Sequence, residues 1–200
     1  WHASWGWMRT GVHGVLHDGS DVTGRRCSFI GVGDAVNAER GVARLLVQHC
    51  TAENSAAYFA FGKGREHVYA DNVVYGSLFE HNIRIIDCDR FLVARNELHN
   101  GPKSCLWMMR GSYGYAWNNT ADGGQLSVGP NDAVSDPADR FQHAVLCANT
   151  CGGLSIDGPA IRILAGAESV SVLDNLINRD GDTAIGLAGW DDQWQRTTRD

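Results

Sequence analysis

Eight residues between positions 63 and 110 combine cations, carboxylates, an imidazole and an indole: Lys63, Glu80, His81, Arg84, Asp87, Lys103, Trp107 and Arg110. An arginine forks onto a carboxylate or sulfate, and a tryptophan presents a face on which a sugar ring stacks. Removing a proton beside a carboxylate requires neutralising that carboxylate, a base, and an acid for the leaving oxygen. Closely spaced cations also lower the pKa of a neighbouring Lys or Arg. Arg84, Lys103 and Arg110 are therefore the candidate proton-transfer groups, and Lys63, Glu80, His81, Asp87 and Trp107 the candidate substrate contacts. The ligand expected is an acidic polysaccharide or another glycan. A plainer reading pairs Glu80 with Lys103 and Asp87 with Arg110 on a solvated face, where each exposed pair contributes little.

These residues are far apart in sequence, so the fold must bring them together, and an internal repeat supplies the means. His67–Asn72, Phe91–Asn96, Tyr113–Asn118 and Val170–Asn175 each end in Asn, with an apolar or aromatic residue three before it. Five before it stands a similar residue, or His67. The frame extends through Asn149 and back to Cys50 and Cys27, recurring every 22 to 24 residues and lengthening to 31 and 26 after Asn118 and Asn149. Two positions later comes a further inward column: Phe29, Ala52, Val74, Leu98, Thr120, Cys151, Ile177. Upstream lies a second strand of i, i+2 pairs: Val36/Ala38, Phe59/Phe61, Ile83/Ile85, Leu106/Met108, Leu126/Val128, Ile161/Ile163 and Ile185/Leu187. Such period-two alternation marks half-buried strands.

Strands at this period cannot bury their apolar faces alone, and stacking coils makes the core. The chain is expected to be all-β, a right-handed parallel β-helix of about eight coils forming a single domain over residues 1–200, or a fragment of a longer chain. The recurrent Asn is expected at a left-handed bend, its amide bonding the same position one coil along. Equivalent positions become neighbours, which places Asn37, Ala60, Arg84, Trp107, Ser127 and Arg162 in one outward column. Two segments break the period, an inserted loop at 129–143 and a second at 151–159. Such excursions commonly build binding surfaces.

The repeated coil resembles the right-handed parallel β-helix superfamily of pectate-lyase-like proteins, with its Ile-x-Ile, turn, Val-x-Val-x-x-Asn-x-Ile pattern, over residues 11 to 188. The resemblance implies the fold. It leaves the activity open, because the superfamily holds lyases, hydrolases, epimerases, tailspikes and adhesins. Lys103-Ser-Cys-Leu-Trp-Met-Met-Arg110-Gly111 is similar in part to the alginate lyase and chondroitinase B group. There a Lys on one coil and the Arg of an Arg-His-Gly motif on the next act as base and acid beside calcium. Here no His separates Arg110 from Gly111, and Arg84 or Lys103 stands in the place of the base. The resemblance implies a lyase or related enzyme on acidic polysaccharide, acting beside Ca2+; Asp132, Asp136 and Asp139 of the inserted loop read either as an acidic surface loop or as suppliers of calcium oxygens. The alternative is a non-catalytic glycan-binding or adhesin-like surface module.

A net charge of −6 and pI near 5.7 argue against a general nucleic-acid binder. No apolar run approaches the ~20 residues of a membrane helix. The opening Trp1-His2-Ala3-Ser4-Trp5 lacks the basic and apolar regions of a signal peptide, and a secreted or cell-surface location is expected from the substrate class. Only two of the 17 basic residues are lysines, as a GC-rich genome gives. The six cysteines form no CxxC pair, and Cys27 and Cys50 are expected to stack as small buried groups. His13 and His67 fall at inward positions and are expected to be satisfied core residues. Asp157 and Asp182 read as turn residues. Asn118-Asn119-Thr120 matches a glycosylation sequon whose first Asn the frame assigns to the ladder. Trp1, Trp5 and Trp7 are expected to cap one end, and Trp190–Trp194 to lead toward further coils.

Overall fold

The computed structural model describes residues 15–16, 19–130, 136–153, 158–178 and 183–188. His13, Asp132, Asp157, Asp182 and the terminal tryptophans lie outside these residues. Successive coils are β1 (Val15–Leu16), β2 (Gly19–Arg25) and β3 (Ser28–Ile30); β4 (Asp34–Gln48) and β5 (Thr51–Ser55); β6 (Tyr58–Ala70) and β7 (Val73–Ser77); β8 (His81–Ala94) and β9 (Glu97–His99). Then follow β10 (Ser104–Met108), β11 (Gly111–Trp117) and β12 (Thr120–Asp122); β13 (Leu126–Val128), β14 (Phe141–Cys147) and β15 (Thr150–Gly152); β16 (Ile161–Leu164), β17 (Ala167–Leu173) and β18 (Leu176–Asn178); and β19 (Ile185–Ala188).

All pairings are parallel and link each strand to its counterpart one coil along. One sheet carries two faces of the solenoid. Its first face is β1-β4-β6-β8-β10-β13-β16-β19, and its second is β2, the C-terminal halves of β4, β6 and β8, then β11, β14 and β17. Among the described residues a separate seven-stranded sheet, β3-β5-β7-β9-β12-β15-β18, closes the coil. The expected parallel β-helix is thus the fold, and among the described residues no helix is long and apolar enough to cross a membrane.

The Asn ladder forms, shifted at one rung. Asn72, Asn96, Asn119 and Asn149 each donate their backbone and side-chain N–H groups to the Oδ1 of the next rung at 2.9–3.0 Å, ending on Asn175. Each of these Nδ2 groups also donates to a carbonyl of the preceding coil. Buried amides satisfied this way cost little and fix the register. Cys50 joins through its N–H to Asn72 Oδ1 at 2.9 Å.

The fifth coil uses Asn119 rather than Asn118, and Ala121, rather than Thr120, is the fully buried residue two further on. Its inward residues on β11 are Gly114 and Ala116, while Tyr113 and Tyr115 face out. The reason is volume. A Cβ at Gly114 would lie 2.5 Å from the Phe91 ring and 2.7 Å from that of Phe141, so these rings fill the space the expected tyrosines would have taken.

The left-handed bend belongs to the residue before each ladder position: His49, Asp71, Arg95, Asn118, Ala148 and Asp174, with φ of 52–56°. The N–H groups of His49, Asp71, Arg95, Asn118 and Ala148 donate across coils, as from Asp71 to Ala94 O, which offsets the cost of the backbone. On the first face Ala60 and Gly62, not Phe59 and Phe61, align with Ile83 and Ile85. Phe59 is still buried beside Ala60, but Phe61 takes the outward place expected for Ala60.

His67 is the satisfied core histidine expected, bonding Val42 O at 2.8 Å and Tyr69 Oη at 3.1 Å. Cys27 and Cys50 are free thiols on adjacent coils, Cys50 buried and Cys27 partly so.

Candidate functional site

At the start of the first-face strands the chain buries two consecutive residues, Ala35–Val36, Phe59–Ala60, Asn82–Ile83 and Cys105–Leu106. The residues flanking each doublet at i, i+3 pack beside one another, most of them buried as well. They are Asp34/Asn37, Tyr58/Phe61, His81/Arg84 and Ser104/Trp107, paired by Asn37 Nδ2 donating to Asp34 at 2.7 Å and by Tyr58 and Phe61 rings 5.3 Å apart. Stacking coils turns these pairs into a compact cluster.

Arg84 sits at its centre. Its guanidinium carbon is 5.0 Å from the Trp107 ring centroid, 5.7 Å from Phe61 and 6.0 Å from Tyr58, the range in which a cation is held by ring faces. Nη1 donates to Tyr58 Oη at 2.9 Å and Nη2 to Met109 Sδ at 3.3 Å. The Tyr58 oxygen therefore accepts from arginine and keeps its own proton to give. Burial raises the Tyr58 pKa above its ordinary value, and the Arg84 charge moderates the rise.

His81 stacks on Tyr58, centroids 6.3 Å apart and planes 8° from parallel, and lies 4.8 Å from Trp107. It is 3% exposed, and neither ring nitrogen makes a hydrogen bond to a described residue. Burial first, then the charges of Arg84, Lys103 and Arg162, hold its pKa well below the usual value. A neutral imidazole keeps one N–H and offers the lone pair of its other nitrogen as a base. Glu80 Oε2 lies 3.6 Å from His81 Nε2, while its Oε1 receives Lys103 Nζ at 2.5 Å. Arg162, half-buried in the same outward column, has its pKa pulled down to about 10 by burial.

The expected site residues fall into two groups. Glu80, His81, Arg84, Lys103 and Trp107 form the cluster just described. Trp107 is only 7% exposed, with Nε1 tied to Gly129 O at 2.8 Å, so its ring serves as the wall behind Arg84 rather than an open platform. Lys63, Asp87 and Arg110 make a second string at the bend into the second face. Asp87 pairs with Lys63 at 3.2 Å and Arg110 at 2.8 Å, and Arg110 reaches Asp139 at 3.3 Å. Lys103 precedes β10 and Arg110 stands at the bend beyond its end, and each is held by a different acid, Glu80 for Lys103 and Asp87 for Arg110, so these two candidate proton-transfer cations belong to separate ion-pair groups. The plainer pairing of Glu80 with Lys103 and Asp87 with Arg110 is present.

Tyr58 and Phe61 escaped the sequence reading. The signal was the i, i+3 doublet that opens successive coils, Asp-Ala-Val-Asn, Tyr-Phe-Ala-Phe, His-Asn-Ile-Arg and Ser-Cys-Leu-Trp. Among the described residues no group of three His, Cys, Asp or Glu is arranged to hold a metal ion. Asp139 is engaged by Arg110, and Asp136 accepts from the Ala138 N–H at 2.8 Å.

Fold and cluster together define a parallel β-helix with an aromatic, guanidinium and imidazole site on its first face. No family model matches the chain, and no curated protein matches it. Among solved structures it is similar to the A-module of mannuronan C-5 epimerase AlgE4 from Azotobacter vinelandii, with 10% identity and a TM-score of 0.45. The match covers 86% of this chain and 55% of that one.

Proposed function

We propose that the chain acts on an acidic polysaccharide outside the cell or at its surface, withdrawing the proton at C5 of a uronate in a lyase-type β-elimination. The observation that carries this reading is His81, a buried neutral imidazole whose nitrogens make no hydrogen bond to a described residue, held between Tyr58 and Trp107 beside Arg84; its nitrogens are closed to solvent, so the substrate must part this aromatic contact to reach them. Arg84 and Lys103 neutralise the uronate carboxylate, which makes the C5 proton acidic. His81 takes that proton, and the Glu80 carboxylate at 3.6 Å steadies the imidazolium. The C5 electron pair forms the C4–C5 double bond as the C4–O bond breaks. Tyr58 delivers its proton to the leaving oxygen, and Arg84 stabilises the phenolate.

The test is incubation with alginate, polygalacturonate and chondroitin sulfate, with and without Ca2+, following ultraviolet absorbance of the unsaturated product. Turnover on at least one polymer, falling 10²–10⁴-fold in His81→Asn and Tyr58→Phe, is expected. Silence on all three in both conditions would sink the reading.

One observation favours binding without turnover. Lys63, Lys103 and Arg110 are each engaged by an acid of this chain, as in a static recognition face. In that case Arg84→Ala weakens retention in polyuronate-containing gels, and no product forms in wild type.

A further inference from the structure

The second face of the solenoid carries a row of aromatic rings that the first-face site does not use. Tyr113, Tyr115 and Trp117 alternate along β11 with the inward Gly114 and Ala116, and are 49%, 49% and 44% exposed. Tyr115 and Trp117 follow one another about 6.6 Å apart on extended backbone, and Tyr113 stands before them at a left-handed residue, φ 54°, where the strand bends. The row stands above a low floor, because the outward neighbours of Tyr115 are Leu92 and Val145, and those of Trp117 are Ala94 and Cys147. The row is narrow, one strand wide from Tyr115 to Trp117 and widened at Tyr113 by its stack on His143, a shape that suits a linear ligand.

Two features fix the rings and edge them with polar groups. Tyr113 stacks on His143, centroids 4.8 Å apart and 16° from parallel, and the Arg95 guanidinium lies 5.6 Å from the Trp117 centroid. Beside Tyr113 and Tyr115 lies a shallow, largely open depression of about 470 Å³ lined also by Glu66, Arg90 and Leu92. Its charges are balanced within the face. Arg90 pairs with Glu66 at 3.1 Å, and Arg95 makes a two-pronged contact with Asp71 at 2.7 and 2.9 Å. Fixed, mutually neutralised donors and acceptors suit hydroxyl groups and offer no net charge to an ion. Exposed rigid aromatics supply apolar stacking area at small entropic cost.

From this geometry we infer a second glycan-binding surface along β11, which takes an uncharged oligosaccharide by stacking on Tyr113, Tyr115 and Trp117. It is independent of the chemistry assigned to the first face. The intact chain is titrated calorimetrically with cellohexaose, xylohexaose and mannohexaose. Saturable binding of at least one is expected, weakened tenfold or more in Tyr115→Ala, whose exposed ring can be removed without opening the core. Tyr115→Phe, which keeps the stacking face, stays within about threefold of wild type. Turnover of polyuronate, if present in wild type, is unchanged in Tyr115→Ala, so this surface and the first-face reading fail separately. Absence of binding to all three hexasaccharides overturns the inference, as does undiminished binding in Tyr115→Ala. A concentration-dependent dimer in sedimentation that Tyr115→Ala dissolves also overturns it, because the occupant is then a second copy of the chain.

Discussion

Tyr58 and His81, one coil apart, hold their rings 6.3 Å apart and 8° from parallel, while Arg84 donates to the Tyr58 hydroxyl. Burial acts on the two in opposite senses. It keeps the phenol protonated and the imidazole unprotonated, so at neutral pH the pair is an acid beside a base. The doublets that follow them bury Phe59, Ala60, Asn82 and Ile83, so the site rests on the core that defines the coil.

The register of the ladder can be tested at adjacent residues. Asn119→Ala removes an acceptor of two N–H groups and a donor to Val93 O and Asn149, leaving buried partners unpaired. A loss of about 3 kcal/mol is expected. Asn118→Ala meets only the backbone cost of a left-handed Ala, about 1 kcal/mol. Urea unfolding of the two variants checks the order, and equal losses would contradict the assignment.

A smaller side chain decides the fifth coil. Gly114→Ala pushes a methyl group into the edge-on rings of Phe91 and Phe141, whose centroids are 5.8 Å apart. The expected cost is about 2 kcal/mol. Gly24→Ala has no heavy atom within 4 Å of the new Cβ and should stay within about 0.5 kcal/mol of wild type. Thermal denaturation of the pair would refute the packing argument if Gly114→Ala melted with Gly24→Ala.

What was legible beforehand follows from the same contrast. The period, the inward columns and the ladder all show in sequence, because identical positions must satisfy identical neighbours one coil along. The exceptions fall where small inward residues lie next to large outward ones: Gly114 and Ala116 among Tyr113, Tyr115 and Trp117, and Ala60 and Gly62 on either side of Phe61. Hydropathy alone assigns the ring to the core, whereas the volume left by Phe91 and Phe141 excludes it. The left-handed residue was misplaced for a related reason. The ladder Asn was recognised, but its side chain is spent on cross-coil bonds, and the backbone turn falls on the variable residue before it, Asp71, Arg95 or Ala148. Of the site, Arg84, His81, Glu80 and Lys103 were found as charges in register. Tyr58 was missed because a tyrosine opening a strand looks like one more apolar residue.

Stability should fall as the solution is acidified below the ordinary histidine pKa near 6.5. His67 and His81 are both buried with folded-state pKa values below that figure, chiefly from desolvation. The unfolded chain therefore binds more protons than the folded one in the window just below 6.5. Stability is full above the window and is lost as pH drops through it. Unfolding free energies between pH 8 and 5 should show this slope, and His81→Asn should reduce it. A flat profile in wild type would rule out burial as the controlling term.

Removing the Arg84 charge should move both limbs of a pH–rate profile in the same direction. The guanidinium depresses the His81 pKa and partly offsets the burial-driven rise at Tyr58. In Arg84→Met both pKa values rise, so the acid limb, where His81 must be neutral, and the alkaline limb, where Tyr58 must keep its proton, both shift upward. Overall activity falls as well, because in the proposed reaction Arg84 also faces the uronate carboxylate, but the displacement of the limbs is separate from that loss. NMR titration of the His81 ring and the Tyr58 hydroxyl-bearing carbon reads the same shifts without turnover. Limbs that stay fixed, or move toward each other, would show that Arg84 does not set the proton states of the pair.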